Sequence, residues 1–328
     1  MARSGTALEA FAEAAALTGA EADSCLYWQA LSASKAEALP GVKAVLKLKE
    51  GRVRYEGEPI AAVAAVDEET AEWALNLIQV GYKVLPHVVS PEAAMAEGAP
   101  QVAETQNVQK LNEYTRGDID QGFAAAEVTL ERTYRTPFEI HQPFETHSSI
   151  AWWKDGELTV WDSTQAVHQT RDGLTRMLGL PAGKVRVICQ YMGGGFGSKL
   201  GANEHTVTAA RLSQLTGRPV KVVLSRKENS LCVGNRPSTV ITIKGGAKRD
   251  GTLTALHMKN TTSGGVGRGD RSSTPLIDIY KCPNVKVEEQ TVFINAGASR
   301  PTRAPGHVQG TFALEGFMEE LAAALGMD

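Results

Sequence analysis

The sequence predicts an α+β chain built from two domains, and two observations carry that expectation. Short apolar runs recur along most of the chain, some strictly alternating with polar residues, and helical patterns stand between them. Residues 93–126 break this rhythm: they are polar, show little periodicity and are punctuated by Pro100, Gly117 and Gly122. An irregular connection that long is uncommon inside a compact domain. The expected organisation is therefore a first domain over 1–98, a linker over 99–126 and a second domain over 127–328.

In chain order, the alanine-rich run Ala7–Leu17 reads as a short amphipathic helix; Glu9 and Glu13 exclude a signal-peptide core. Gly41–Leu46 and Pro59–Ala65 read as strands, with turn residues bounding Gly51–Gly57 between them. Ala71, Ala74, Leu75 and Ile78 lie at helical spacing, and Val80–Leu85 is a strand ending at Pro86. In the second domain, Val128, Leu130 and Tyr134 alternate as on a half-buried strand, and Gly156–Trp161 is another. A helix with Val167, Leu174, Met177 and Leu178 on its apolar face closes at Gly179. Val185–Gln190 is a strand, 202–216 a helix stopped by Gly217 and Pro219, and Val220–Leu224 a strand from which Ser225–Glu228 turns away. Ser238–Lys244 and Thr252–Met258 read as a hairpin around Lys248–Gly251, and Gly264–Gly269 as a flexible surface loop. The final helix, Phe312–Leu325, packs through Leu314, Phe317, Met318, Leu321 and Leu325.

Composition narrows the functional classes. With 328 residues, 42% hydrophobic and 22% charged, the chain is ordinary for a globular protein of about two domains. A net charge of −3 argues against nucleic acid as the main partner, since phosphate binding needs a basic face. No apolar stretch approaches the length of about 18 residues that a membrane span requires. Cys25, Cys189, Cys232 and Cys282 are scattered and form no CxxC pair, so no zinc or iron–sulfur site is expected and a reducing, cytoplasmic location is.

Three stretches carry candidate chemistry. Gly193-Gly-Gly-Phe-Gly-Ser-Lys199 sits on a strand-to-helix turn, where backbone N–H groups can meet an oxygen-rich ligand. Neither standard phosphate motif fits. A Walker loop would end Gly-Lys-Ser/Thr, and the dinucleotide fingerprint would place a third small residue where Ser198 stands. A glycine-rich turn without a ligand is the alternative. In Thr136–His147, two histidines and two carboxylates invite a metal-site reading, but His141 and His147 are poorly spaced for it, and polar residues lining a pocket are the better reading. Arg303, flanked by Pro301 and Pro305, is stiffly mounted and can offer a planar fork to phosphate or carboxylate; a solvated surface turn is the alternative.

These stretches, in this order, resemble the molybdenum-binding subunit of the xanthine dehydrogenase/aldehyde oxidase family of molybdenum hydroxylases. The resemblance rests on His141/Phe144-Glu-Thr-His147, the Gly193–Lys199 turn and Arg303-Ala-Pro-Gly-His-Val-Gln309. It extends to the ending Glu-Leu-Ala…Leu-Gly-Met-Asp328 and to residues 41–96, which look like the family's hammerhead-type α/β domain, especially over Arg54–Ala64. The implied fold is that hammerhead-type domain followed by the first α+β molybdopterin-binding domain.

The resemblance also implies roles. Gly194, Gly195, Phe196 and Gly197 would hold the cofactor's oxygen atoms through backbone N–H groups. Arg303 would face the cofactor side of the active site, Gln309 the pterin, and Gln165 belongs to a Ser-Thr-Gln run common in the family. The molybdenum would be held by the pterin dithiolene, with no protein ligand, and the cytosine dinucleotide form of molybdopterin is expected. At the position where a family Gln is expected beside the metal's oxygen stands Glu139, a second catalytic candidate. An ionised carboxylate cannot donate a hydrogen bond, so either Glu139 is protonated, the alignment shifts, or that oxygen has another partner. Leu200 follows the turn's lysine where purine oxidisers often carry Glu, which disfavours a purine substrate.

The family's subunit is much longer, and its second half carries the catalytic Glu. The first expectation is therefore half of a split molybdenum subunit, inactive alone. It would oxidise a heteroaromatic ring or an aldehyde, with a second polypeptide supplying the base and [2Fe–2S] and FAD subunits taking the electrons. The alternative is a non-catalytic scaffold or truncated remnant that keeps the fold without metal.

Overall fold

The computed structural model describes residues 2–6, 25–267 and 269–327; the expected helix Ala7–Leu17 lies outside them. The first elements are β1 (Ala2–Thr6), β2 (Cys25–Ser32), α1 (Ser34–Glu37), β3 (Val42–Lys47), β4 (Arg52–Val53), β5 (Pro59–Ala65), α2 (Glu68–Asn76) and β6 (Gln79–Leu85). They are followed by α3 (Pro91–Met95), β7 (Asn112–Arg116), α4 (Ile119–Ala124), β8 (Val128–Thr136), β9 (Ser148–Lys154), β10 (Glu157–Asp162), α5 (Val167–Leu178) and β11 (Val185–Ile188). The last are α6 (Glu204–Thr216), β12 (Val220–Val223), α7 (Arg226–Cys232), β13 (Thr239–Ala247), β14 (Leu253–Gly265), α8 (Thr274–Asp278), β15 (Val285–Phe293) and α9 (His307–Leu325). The α+β class holds.

The compact units do not follow the expected boundaries. One unit comprises residues 1–87, 140–234 and 295–300; the other comprises 88–139, 235–294 and 301–328. The stretch 99–126 is not a bare linker, because it carries β7, the edge of a five-stranded sheet, and α4, whose Asp118 caps its first turn.

The first unit holds a mixed seven-stranded sheet, ordered β11-β10-β9-β12-β1-β5-β3, and a small β4-β2-β6 sheet. The reason the N-terminal strands join the later ones lies in β5. From Ile60 to Ala65 every residue of this strand is buried, so both of its faces need cover. Val63 packs with Ala36 and Ala74 on one face. Ala62 and Ala64 belong to the cluster of Ala209, Ala210 and Leu212 of α6 on the other. Small side chains on β5 let helix and sheet approach closely.

The second unit is built on a sheet ordered β7-β15-β14-β13-β8. The expected hairpin is present as antiparallel β13 and β14, with an irregularity at Gly246/Ala247. Gly264 and Gly265 are not loop residues: they are buried and end β14. Ile241, Ile243, Leu256, Met258, Val285 and Val287 face α9, which meets them with Ala313, Leu314, Phe317 and Leu321. The Phe317 ring fills the space where a side chain at Gly245 would stand, 2.6 Å from such a Cβ. Phe317→Ala is expected to cost about 3–5 kcal/mol, read as a lower urea midpoint at unchanged slope. A cost below about 1 kcal/mol would place the core elsewhere.

Candidate functional site

In the first unit, β11 delivers the chain to the glycine turn and α6 carries it away. Gly194 and Gly197 take φ of +89° and +107°, a region glycine enters without steric cost, and Phe196 between them takes +51° and is half-exposed. The turn is tied down by its own neighbours. Gly193 N–H donates to the Glu145 carboxylate, and Glu145 N–H donates back to Gly193 O at 3.2 Å. Gly197 N–H donates to Gln165 Oε1 at 2.7 Å, while Gln165 N–H donates to Lys199 O at 2.9 Å. The Ser198 N–H and hydroxyl both close onto Gly195 O, at 2.9 and 2.8 Å. Gln165 is thus fastened at both ends to the turn, with its Nε2 left as a donor on an exposed side chain.

Beneath the turn lies a buried polar network that joins the Phe144–His147 stretch to the glycine turn. Lys199 is fully buried, a state tolerated only when the charge is paired and hydrogen-bonded. Its ammonium donates to Ser163 Oγ at 2.8 Å and to the Glu145 carbonyl and carboxylate at 3.0 Å each. Burial works to raise the Glu145 carboxyl, but the Gly193 N–H, Lys199 and Ser163 outweigh it and hold it below the usual range. His147, pushed down to about 4 by burial, has Nδ1 at 2.7 Å from Asn229 Oδ1 and Nε2 at 3.2 Å from Ser198 O. Its ring stands edge-on to His205, which burial holds well below the ordinary histidine value. His147 is therefore spent on holding the turn. Among the described residues, no group of three or more His, Cys, Asp or Glu could hold a metal ion.

Asp162 completes this network, accepting hydrogen bonds from Ser149 and from Thr206 at 3.1 Å. Burial raises its carboxyl from 3.8 to about 6. A raised carboxyl favours folding while protonated, so its contribution is full below pH 3.8 and is lost as pH rises through about 6. Asn at this position cannot ionise. The advantage of wild type over Asp162→Asn should therefore shrink by on the order of 1 kcal/mol from pH 5 to pH 8, measured by urea unfolding at both pH values. Parallel pH profiles would contradict the raised carboxyl.

In the second unit, one residue gathers the remaining candidates. Arg236 is buried, and its Nε lies 3.2 Å from the Glu139 carboxylate. Its Nη2 donates to Arg303 O at 2.6 Å, and its Nη1 to Gln309 Oε1 at 3.2 Å and Ala304 O at 3.4 Å. Residues 139 and 236 also form an isolated antiparallel bridge. Glu139 thus stands beside a guanidinium as an ion-pair partner. Gln309 is buried, and its amide is committed at both ends, since Nε2 donates to Pro237 O at 3.4 Å. Arg303 differs, being exposed on the Pro301–Gly306 loop with, among the described residues, only its carbonyl held. Arg236 carried a signal in the sequence: it precedes Pro237, which biases it toward the extended backbone seen here. The helix α7 carried one as well, because Ser225 and Glu228 form a capping box at its start.

Residues 101–328, spanning the glycine turn, Arg236 and the Arg303 loop, match the family model for the molybdopterin cofactor-binding domain. The chain belongs to this family. It is 34% identical over 283 residues to the xanthine dehydrogenase molybdenum-binding subunit of Escherichia coli O157:H7, covering 84% of this chain and 38% of that protein. It is 32% identical over 324 residues to the nicotinate dehydrogenase large molybdopterin subunit of Eubacterium barkeri, covering 91% of this chain and 76% of that protein. The fold is shared with quinoline 2-oxidoreductase from Pseudomonas putida 86, at a TM-score of 0.86 and 26% identity, covering 93% of this chain and 44% of that one. Aldehyde oxidoreductase from Desulfovibrio gigas gives a TM-score of 0.84 at 25% identity, covering 96% and 40%. The chain spans about two fifths of the xanthine dehydrogenase relatives' length. It is a molybdenum hydroxylase family member of the xanthine dehydrogenase/aldehyde oxidoreductase type, as the sequence motifs implied. Among its described residues, no helix is long and apolar enough to cross a membrane.

Proposed function

We propose that this chain is the cofactor-holding part of a molybdenum hydroxylase that oxidises a heteroaromatic ring or an aldehyde with water as the oxygen source. The observation that carries this reading is the glycine turn, whose Gly195 lies so close to Gln165 that a Cβ there would stand 2.5 Å from Oε1. Such a cradle, with its side-chain face closed and its neighbouring Phe196 exposed, suits a large oxygen-rich ligand approaching the backbone. Molybdopterin, when bound, supplies the two-electron redox centre. Gly194, Gly195, Phe196 and Gly197 shape the cradle, and Gln165 Nε2, its carbonyl end fixed by Gly197, donates to an oxygen atom of the cofactor. In the second unit, Arg303 takes an anionic group, and Glu139 and Gln309 act through Arg236 as positioning residues.

The same reading assigns the cytosine dinucleotide form of the cofactor, a second polypeptide carrying the general base, and [2Fe–2S] and FAD subunits as electron acceptors, in the cytoplasm. Support comes from relatives described as molybdenum-binding or large molybdopterin subunits. Phe144 and Tyr191, beside the turn, stand almost wholly in solvent, as residues at a protein contact do before assembly. The test is elemental analysis with mass spectrometry on the complex isolated through a tag on this chain. Molybdenum, iron and at least two co-eluting subunits are expected. A metal-free monomer would favour the non-catalytic scaffold, and a molybdenum-loaded monomer with full turnover would refute the shared site.

A further inference from the structure

The first unit contains a cavity of about 310 Å³ that the cofactor reading leaves unused. This volume lies at the lower end of small-molecule sites. Asn203 and Thr208, 6% and 1% exposed, line it, and the buried Asn203 Oδ1 and Thr208 Oγ1 have no hydrogen-bond partner among the described residues. Buried polar atoms of this kind call for a partner from a water or a ligand in the cavity. Asn203 is the N-cap of α6, yet its side chain does not cap it; its Nδ2 donates instead to Ser198 O at 3.3 Å. The positive end of a 13-residue helix therefore lies at the cavity wall.

Charge points the same way. Lys49, Arg54 and Arg300 line the cavity together with Glu58 and Glu204. Lys49 and Arg54 are both bonded to Glu58, and Glu204 is exposed. Arg300, part-buried at the cavity wall, brings a planar fork suited to a carboxylate. Burial holds its guanidinium below the ordinary value, and its charge helps keep the buried His205 neutral. Leu224 and Val233, both buried, supply an apolar wall.

We propose that this cavity binds a small organic carboxylate that also bears an N–H group. The carboxylate meets Arg300 and the Thr208 hydroxyl, and the N–H donates to Asn203 Oδ1. The site belongs to one unit and does not depend on molybdopterin. Occupancy would be felt at the glycine turn, because Asn203 holds Ser198 O and Arg300 Nη1 donates to Leu200 O at 3.4 Å.

Isothermal titration of the full chain with pyrrole-2-carboxylate tests this, with pyrrole-2-carboxamide and 1-methylpyrrole-2-carboxylate as controls. Saturable 1:1 binding of the acid is expected, with each control at least tenfold weaker. Arg300→Met should lower affinity for the acid at least tenfold and leave the amide unchanged. Thr208→Val, nearly isosteric, should weaken the acid several-fold and serves if Arg300→Met does not fold. No saturable binding, equal binding of acid and amide, or wild-type affinity in a folded variant would overturn the proposal. Molybdenum content of the isolated complex is scored separately, so the cofactor reading and this one can fail independently.

Discussion

Gly195→Val is expected to strip molybdenum from the complex, lowering its molar content at least tenfold, while the chain remains folded. A Cβ at this position would meet Gln165 Oε1 at 2.5 Å, Cδ at 2.8 Å and Cγ at 2.9 Å. All three atoms belong to an exposed side chain, so Gln165 can swing away, and the cost to global stability stays near about 1 kcal/mol, that of one lost hydrogen bond. Locally the effect is larger. Gln165 can no longer accept from Gly197 N–H, its Nε2 is no longer aimed, and a branched side chain occupies the cradle. Molybdenum by elemental analysis and stability by urea unfolding read the two effects separately. Unchanged molybdenum in a folded variant would remove the turn from the cofactor site. Loss of both would show that the turn is structural.

Gly306→Ala should be the most destabilising single-methyl addition among the described glycines. Gly306 ends the Arg303 loop with φ of +74°, and a Cβ there would stand 1.8 Å from Arg271 O and 2.6 Å from its carbonyl carbon. The obstacle is backbone and has no rotamer to adopt. Nor can the obstructing segment retreat freely. Ser272 N–H donates to the buried Glu289 carboxylate at 2.7 Å, and the Ser273 N–H and hydroxyl follow at 3.1 and 2.7 Å. Gly326→Ala is the matched control: φ is +70°, and no non-neighbouring atom of the described residues lies within 4 Å of the added methyl. The control should cost about 1 kcal/mol, the strain of a left-handed backbone alone. Gly306→Ala should cost about 3 kcal/mol or more, the collision being added to the strain. Equal urea midpoints for the two variants would contradict the packing of the Arg303 loop.

Much of the candidate site was legible because its signals are local. A glycine turn between an apolar run and a helix can be recognised from adjacent residues, since only glycine accepts both the backbone angles and the crowding. The proline-flanked Arg303 and the period of α9 are local in the same way, and Leu314, Phe317 and Leu321 are buried as that period requires. Gln165 was singled out, and it does touch the turn.

What escaped the sequence depends on partners far away along the chain. Spacing alone cannot reveal that a guanidinium 97 positions later stands beside Glu139. The contacts of the Gln309 amide with Arg236 and Pro237 are likewise set by tertiary packing. Lys199 closes the glycine motif in the sequence, and only the fold buries it against Glu145 and Ser163. The expected linker and domain limits gave way for the same reason. Sheet neighbours such as β5 and β1, or β7 and β15, are chosen by which apolar faces need cover, and that choice is made between segments distant in sequence. Backbone conformation and helix period are written in neighbouring residues; the pairing of charges and the closure of sheets are settled only when the whole chain has packed.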